Sequence, residues 1–235
     1  MLIIPVIDLL NGMVVHARQG DRDHYQNVTS VLTQSAEPED VLAGYYKLYP
    51  FKVIYLADLN AIQNRNNHFQ LIKDICHTHP DTEFWLDAGM QGFEDDSVLN
   101  TCPNLRFIFG SENGIEQDSL SELFKQYPKT VLSLDFNEQG LINNPYLMQQ
   151  PGIWPEKVIV MQLNRVGSTL GVAYEKLNEI KQLNTSCNIY AAGGIQSVVD
   201  LEQLQKDGMS GALLASALHN GNIGHEDISR FISDG

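Results

Sequence analysis

Three pairs of short segments recur between the two halves of this chain at almost the same spacing. The offsets are 104 or 105 residues, and the pairs are Leu59-Asn60 with Leu163-Asn164, Gly89-Met90-Gln91 with Gly194-Ile195-Gln196, and Phe109-Gly110-Ser111 with Leu214-Ala215-Ser216. Internal repetition of this kind predicts a fold assembled from two similar halves. We place the halves at about residues 1–117 and 118–235, within one domain that spans residues 1–235.

Eight short apolar runs alternate with longer stretches of helical character. Most of them are apolar at consecutive positions, which is typical of parallel strands buried on both faces. The runs are Leu2 to Asp8, Lys52 to Asp58, Phe84 to Ala88, Leu105 to Gly110, Thr130 to Asp135, Lys157 to Leu163, Asn188 to Ala192 and Gly211 to Ala215. Eight runs in two matched sets predict an α/β fold, a (β/α)8 TIM barrel built from two (βα)4 half-barrels.

Turn and cap signals refine this prediction. The segment Leu10-Asn11-Gly12 is typical of a hairpin turn, so Met13 to Ala17 is predicted to be an inserted strand that returns along the first one. Asp118 and Ser197 are candidate helix N-caps. The predicted helices are Pro38 to Tyr49, His68 to His77, Asp118 to Tyr127, Tyr174 to Leu183, Ser197 to Asp207 and Glu226 to Ile232.

Composition excludes several classes of protein. The chain has 29 acidic and 15 basic residues and a net charge of −14, which disfavours nucleic acid as a partner. No run approaches the roughly 18 apolar residues of a membrane span, and the N-terminal run is too short and uncharged for a signal peptide, so we expect a cytoplasmic protein without a membrane partner. The 3 cysteines are far apart, which indicates neither disulfides nor a zinc site. We expect no metal or cofactor, and the sequence does not indicate an oligomeric state.

Two strand-end carboxylates are candidate catalytic groups. In a parallel barrel the active site lies at the carboxyl ends of the strands. Asp8 and Asp135 close the first and fifth runs, so they would face each other across the barrel, where one could remove a proton and the other deliver one. The structural alternative is an aspartate that caps the following turn. For Asp58 and Asp87 we favour that structural interpretation.

Glycine-rich segments after the seventh and eighth runs are candidate phosphate-binding loops. Glycines let the backbone approach a phosphate closely, and backbone N–H groups donate to it without a lysine. The candidate phosphate-binding residues are Gly193, Gly194, Ala215 and Ser216, with Gly110 and Ser111 from the corresponding first-half segments. A tight turn required only for packing is the alternative. The first-half copy has one glycine fewer and more acids, so a second phosphate there stays an open question.

Two further loops would face the barrel mouth. Arg18 and Gln19 follow the predicted hairpin and could fold over the mouth to contact a substrate. Asn164, Gly167 and Ser168 follow the sixth run and would contribute polar side chains and backbone groups. A solvated surface loop is the alternative for Arg18.

These motifs resemble a known family. The segments Ile3 to Leu9, Asn11 to Val15 and Gln19-Gly20-Asp21 resemble the opening of the HisA/HisF histidine-biosynthesis barrels, and Ser133 to Asp135 and Ala192 to Ile195 match further along. The resemblance implies a duplicated ribulose-phosphate-binding barrel and an aldose–ketose isomerase, an intramolecular oxidoreductase that performs an Amadori rearrangement. By that resemblance Asp8 is the base, Asp135 is the acid, and the loops after strands seven and eight bind phosphate.

The chain also departs from the family pattern. Val166 stands where the family usually has an aspartate, Met161 where a threonine is typical, and Ala88 where a glycine is typical. The segments Leu163 to Ser168 and Asp87 to Gly89 more closely resemble a HisA/HisF-related sister group of methanogens and methylotrophs that is associated with tetrahydromethanopterin-linked one-carbon metabolism. Three hypotheses follow: a HisA-like phosphoribosyl isomerase, an enzyme of that cofactor metabolism, or a barrel that binds a phosphorylated metabolite without catalysis.

Overall fold

A computed structural model describes residues 1–18, 24–94, 98 and 101–232 of this chain. Eight parallel strands pair in sequence order, and the last pairs with the first, which closes the barrel. The strands are β1 Leu2–Leu10, β2 Val53–Asp58, β3 Glu83–Asp87, β4 Leu105–Gly110, β5 Val131–Asn137, β6 Lys157–Gln162, β7 Asn188–Ala192 and β8 Gly211–Leu214. The predicted (β/α)8 barrel is confirmed, and each strand agrees with its predicted run to within a few residues.

Helices surround the barrel. The described α-helices are Pro38–Leu48, Leu59–Ile62, Phe69–Thr78, Gln91–Glu94, Gln117–Gln126, Tyr146–Gln149, Tyr174–Leu183, Val198–Lys206, Ser216–His219 and His225–Phe231. Single turns of 3-10 helix occupy Ser111–Asn113, Pro151–Ile153 and Leu163–Arg165. In the described part of the chain, no helix combines the length and the apolar character needed to cross a membrane.

The predicted hairpin and one of the two predicted caps are confirmed. Strand Met13–His16 pairs antiparallel with the end of β1, and both turn residues, Asn11 and Gly12, have positive φ as a type I′ turn requires. Ser197 caps helix Val198–Lys206 in a reciprocal capping box with Asp200. The Asp118 prediction was wrong, because that helix begins one residue earlier and its N-cap is Glu116.

Two apolar layers hold the barrel. One lies between the strands and the helices, and the other fills the barrel interior with side chains such as Ile4, Trp85, Ile108 and Tyr190. The rings of Trp85 and Tyr190 meet edge to face, 4.9 Å apart, and a truncation of such a buried aromatic residue costs about 3–5 kcal/mol. Because side chains alternate along a strand, the same inward-facing rows end in polar groups at the carboxyl ends of the strands.

Candidate active site

A cavity of about 310 Å³ opens where the strands end, which is within the range for small-molecule sites. Among the described residues, four carboxylates line it: Asp8, Asp87, Glu112 and Asp135. Backbone and side chains of three loops line it as well, among them Gly167, Ser168, Gly193, Gly194, Ala215 and Ser216. The cavity therefore joins a carboxylate region and a glycine-rich region.

Asp8 and Asp135 lie on opposite strands and line the same cavity. Asp8 is on the inward face of β1 with Ile4 and Val6, and Asp135 is on the inward face of β5 with Val131 and Ser133. Both carboxylates are buried, at 9% and 5% of their full exposure. The sequence prediction that these two residues meet at one site therefore agrees with the geometry, while their catalytic roles remain predictions.

Three donors hold the carboxylate of Asp135. The hydroxyl of Ser133 donates to Oδ1 at 2.6 Å, and the hydroxyl of Ser111 and the backbone N–H of Glu112 donate to Oδ2 at 3.2 and 3.3 Å. Burial, with repulsion from the Glu112 carboxylate, raises the pKa of Asp135 to about 7 despite these hydrogen bonds. Asp135 can therefore hold a proton near neutral pH, as a general acid must.

Tyr55 and Asp87 form a second polar pair in the carboxylate region. The Tyr55 hydroxyl donates to Oδ2 of Asp87 at 3.3 Å, and the backbone N–H of Gly89 donates to Oδ1 at 3.2 Å. Burial raises the pKa of Tyr55 well above its usual value, so this phenol stays protonated. Asp87 thus has the structural role that we favoured, because it binds the turn at Gly89, but it also lines the cavity.

Asp58 has the structural role that the sequence favoured. Its carboxylate accepts hydrogen bonds from the backbone N–H groups of Ala61 and His68 and from Nδ1 of His68. Nε2 of His68 in turn accepts from the backbone N–H of Gly12. Asp58 is fully buried, and these contacts connect the end of β2 to the hairpin turn after β1.

Two glycines in the loop after β7 are packed too closely to accept side chains. Gly193 has φ of +94°, and a Cβ there would lie 2.6 Å from the carbonyl oxygen of Gln162. Gly194 has φ of +80°, and a Cβ there would overlap the carbonyl oxygen of Gly171. Both positions require glycine for backbone conformation and for space. Gly193 and Gly194 therefore contribute only backbone to the cavity wall.

Arg165 holds the loop after β6 in place. Its guanidinium donates to the carbonyl oxygens of Leu170 and Gly171 at 2.9 and 2.8 Å, and the side-chain amide of Gln196 donates to the Ser168 carbonyl oxygen at 3.1 Å. Arg165 itself lines the cavity. Sequence reasoning did not select Arg165, although it lies between two residues that were selected, Asn164 and Gly167.

A buried histidine connects the loop after β8 to β1. Nε2 of His219 hydrogen-bonds the Tyr45 hydroxyl at 2.9 Å, and that hydroxyl donates to the carbonyl oxygen of Val6 at 2.8 Å. Nδ1 of His219 hydrogen-bonds Ser30 at 2.9 Å. Burial, with the nearby His16 ring, lowers the pKa of His219 to about 4, so the ring is neutral at physiological pH.

Some predicted site residues lie away from the cavity wall. Gly110 and Ser111 lie against Asp135 instead, and Ser111 also accepts the backbone N–H of Asp135 at 2.8 Å. Arg18 is exposed, and its Cα would lie 3.3 Å from a Cβ added at Gly167. Asn164 has a buried Oδ1 atom that accepts no hydrogen bond from the described residues. Gln19 lies outside the described residues.

The remaining predicted site residues line the cavity. Gly167 and Ser168 do so together with Val166 and Met161, two of the three positions where the sequence departs from the family pattern. His16, Tyr25 and Tyr55 line it too and were missed by sequence reasoning. Tyr55 could have been found from the sequence, because it lies two residues before the inward-facing Ala57 and therefore on the same face of the strand. His16 and Tyr25 belong to the inserted segment, and no short-range sequence pattern predicts the path of that segment over the barrel.

Comparison with known proteins gives one family. The family model described as histidine biosynthesis protein matches residues 2–224. An uncharacterized protein of Methanocaldococcus jannaschii is 32% identical over 239 residues, with all of both chains covered. A protein of Clostridium botulinum named 1-(5-phosphoribosyl)-5-((5-phosphoribosylamino)methylideneamino)imidazole-4-carboxamide isomerase is 25% identical over 250 residues, with 99% of this chain and 98% of that one covered.

A protein of Oceanobacillus iheyensis with the same isomerase name is 23% identical over 241 residues, with 97% of each chain covered. An isomerase activity is therefore represented among the relatives. The match over nearly the whole length, together with the closed barrel and its strand-end carboxylates, shows that this chain belongs to the histidine biosynthesis protein family of barrels.

Proposed function

We propose that this protein is an aldose–ketose isomerase that performs an Amadori-type rearrangement of a phosphorylated ribosyl-amine compound. One observation carries the proposal: Asp8 and Asp135, on opposite strands, line the same cavity together with the glycine-rich loops after β6, β7 and β8. The isomerase names of full-length relatives support the reaction class.

The two carboxylates would divide the proton transfers. Protonated Asp135 donates its proton to the ribosyl ring oxygen, the bond from that oxygen to C1 breaks, and a protonated C1=N bond remains. Ionised Asp8 removes the proton from C2, and the electron pair forms a C1=C2 bond and neutralises the nitrogen. Asp8 then delivers its proton to C1 while the enol oxygen returns a proton to Asp135, which gives the ketose and restores both carboxyl groups to their starting states. All atoms balance within one molecule, and proton transfer by a positioned carboxylate contributes about 10²–10⁴-fold.

The raised pKa of Asp135 supports its assignment as the acid. A carboxyl with an ordinary pKa is almost fully ionised at pH 7, whereas burial and Glu112 raise the pKa of Asp135 to about 7. A substantial fraction of the molecules then carries the proton that ring opening needs. The hydrogen bonds from Ser133 and Ser111 keep the carboxyl aimed into the cavity.

The phosphate group of the substrate would bind at the other side of the cavity. Gly193, Gly194, Ala215 and Ser216 line it there, and backbone donors suit a chain with few basic residues. The Cβ clash at Gly194 with the carbonyl of Gly171 requires glycine at this position, which contributes backbone to that part of the cavity wall.

A second candidate is a reaction in tetrahydromethanopterin-linked one-carbon metabolism that uses the same cavity. It is favoured by the higher identity to the uncharacterized Methanocaldococcus jannaschii protein, 32% against 23–25% for the named isomerases. The apolar side chains Val166 and Met161 in the cavity wall also favour a changed substrate. The proposals of a cytoplasmic location and of a small-molecule partner are common to both candidates.

Asp8→Asn tests the proposed function. An N-(5-phosphoribosyl)arylamine serves as substrate, and proton NMR follows the new C1 methylene group of the ketose. We expect kcat to fall about 10³-fold, because the amide cannot accept the C2 proton, while the dissociation constant for inorganic phosphate changes less than about twofold.

The matched control is Asp81→Asn, which makes the same chemical change at an exposed carboxylate outside the cavity. This control should leave kcat and the dissociation constant for inorganic phosphate unchanged. Wild-type turnover that persists in Asp8→Asn would remove Asp8 from the mechanism. A wild-type protein that binds phosphate but converts no ribosyl-amine would overturn the isomerase proposal and leave the second candidate and the non-catalytic hypothesis.

A further inference from the structure

The loops after β3 and β4 correspond, through the internal repeat, to the loops after β7 and β8. At an offset of 105 residues, Gly89 corresponds to Gly194 and Gly110-Ser111 corresponds to Ala215-Ser216. The same offset pairs Asp87 with Ala192 and Glu112 with Ala217. We call residues 87–90 and 110–112 the first-half loops, and residues 192–195 and 215–217 the second-half loops. At each of these two paired positions, the first-half loops carry a carboxylate side chain and the second-half loops carry the methyl group of an alanine.

The backbone turns of the two sets of loops share one left-handed glycine and differ at the residue before it. Gly89 has φ of +56° and Gly194 has φ of +80°, so both use the left-handed conformation. Gly193 also has a positive φ, +94°, whereas the corresponding Ala88 does not. The side chains that reach the cavity differ as well. Asp87 and Glu112 both line it, as do Ala192 and Ala217.

The serines of the two sets also have different surroundings. Ser111 is fully buried, and its hydroxyl exchanges hydrogen bonds with Asp135, as donor to Oδ2 and as acceptor from the backbone N–H. Ser216 is partly exposed and lines the cavity. The Ser216 hydroxyl can therefore contact a ligand, whereas the corresponding Ser111 hydroxyl is already hydrogen-bonded to Asp135, a candidate catalytic residue.

We propose that Asp87 and Glu112 are specificity-determining residues that exclude a phosphate group from the first-half loops, so that the substrate carries one phosphate, bound at the second-half loops. This inference rests on the proposed function, because it assigns the phosphate to the same cavity. Phosphate is an anion, and two carboxylates that share a partly desolvated cavity with it repel it. The substrate end at the first-half loops is then neutral or positively charged, for example an amine.

The proposal separates this protein from the named isomerases in the family. Their printed name describes a substrate with two phosphoribosyl groups. A substrate of that kind would place its second phosphate beside Asp87 and Glu112. A monophosphate of a sugar or of a ribosyl-amine avoids that repulsion, and we expect at least about a tenfold preference for it.

Counting bound phosphate tests the proposal. Equilibrium dialysis with radiolabelled inorganic phosphate should give one ion per wild-type chain. The double variant Asp87→Ala/Glu112→Ala, which copies the second-half residues, should bind two. In competition experiments, the wild type should bind ribose 5-phosphate at least about tenfold more tightly than ribulose 1,5-bisphosphate, and the double variant should lose or reverse that preference.

Two further double variants serve as controls. Asp87→Asn/Glu112→Gln removes the charges at nearly constant shape and should behave as the alanine variant does, even if the latter fails to fold. Glu122→Ala/Glu175→Ala removes two exposed carboxylates outside the cavity and should bind one phosphate, as the wild type does. If the control also gains a second ion, overall charge rather than Asp87 and Glu112 is responsible, and the proposal fails.

Other outcomes also overturn the proposal. Two equivalent phosphates in the wild type would show that the carboxylates do not exclude an anion. A folded amide variant that still binds one phosphate and prefers the monophosphate would assign the exclusion to other residues. The readout is binding, so it is independent of turnover: a single phosphate site in a protein whose Asp8→Asn variant keeps wild-type activity would sustain this inference while the isomerase mechanism fails.

Discussion

The first-half and second-half loops have corresponding sequences and share one left-handed glycine, yet their contributions to the cavity have opposite character. The second-half loops offer a closely packed, uncharged backbone, with Gly194 against the carbonyl of Gly171. The first-half loops carry Asp87 and Glu112 and hold Asp135 through Ser111. Under the proposed function, loops related by one repeat have two roles: the second-half loops receive an anion, and the first-half loops keep a proton on Asp135.

The two sets of loops also differ in how tightly they are packed. A Cβ added at Gly89 would lie 3.3 Å from the Cα of Ile62, a contact that a small shift relieves. A Cβ at Gly194 would overlap backbone atoms that cannot move independently. The second-half loops are thus the less tolerant of the two, as a preformed ligand site would be.

The largest expected effect comes from the matched pair Gly194→Ala and Gly89→Ala. We expect Gly194→Ala to lower the free energy of unfolding by about 3 kcal/mol and to abolish phosphate binding, because the left-handed backbone and the clash with Gly171 both oppose a side chain. Gly89→Ala should cost about 1 kcal/mol and leave phosphate binding within about twofold of the wild type. Urea unfolding and phosphate titration measure the two quantities.

Equal loss of phosphate binding in both glycine variants would break the comparison. It would mean that the first-half loops also hold phosphate, against the exclusion proposed for Asp87 and Glu112. Gly152→Ala is a suitable control, since nothing lies within 4 Å of a Cβ added there and its φ is not positive.

An intermediate effect is expected from the pair Ser111→Ala and Ser216→Ala. Ser111→Ala removes both the donor to Asp135 Oδ2 and the acceptor of the Asp135 backbone N–H, so kcat should fall about tenfold with little change in KM. Ser216→Ala should raise KM for the phosphorylated substrate several-fold and leave kcat nearly unchanged. Steady-state kinetics separates the two results, and a KM effect in Ser111→Ala would instead indicate direct phosphate contact by that serine.

The smallest effect is expected from Glu112→Gln, measured in the pH dependence of kcat. Asp135 must be protonated to act as the acid, and its pKa of about 7 places the loss of activity above neutral pH. Removal of the Glu112 charge lowers the pKa of Asp135, so the alkaline limb should move to lower pH and kcat at pH 8 should fall about threefold. If the alkaline limb of the pH profile does not move, a group other than Asp135 causes the loss of activity. Glu138→Gln, a change at an exposed carboxylate after β5, provides the control.

Much of the fold was predictable because its signals are local. The eight strands are continuous apolar runs, the Asn11-Gly12 turn needs two positive φ angles, and the Ser197 cap has its partner three residues away. The Asp118 cap was predicted wrongly because an acidic residue is also favourable within the first turn of a helix, so its position alone does not mark the helix start.

The site was predictable where strand alternation decides the direction of a side chain. Asp8 and Asp135 end inward-facing rows, so their place in the cavity follows from strand position. Ser111 was predicted to bind phosphate but contacts Asp135, and Arg165 was passed over although it lines the cavity. Those contacts depend on how separate loops pack together, which a single sequence does not specify.

The amino-acid sequence by itself determined the closed barrel, the repeated plan of its two halves and the two opposed carboxylates, because hydrophobic periodicity and strand alternation act over a few residues. Only the tertiary structure decided that Glu112 and Asp87 raise the pKa of Asp135, that Ser111 holds this carboxyl, and that Gly194 lies against Gly171. These relations join residues from different strands and loops, and the electrostatic and steric interactions between them exist only once folding has brought the loops together.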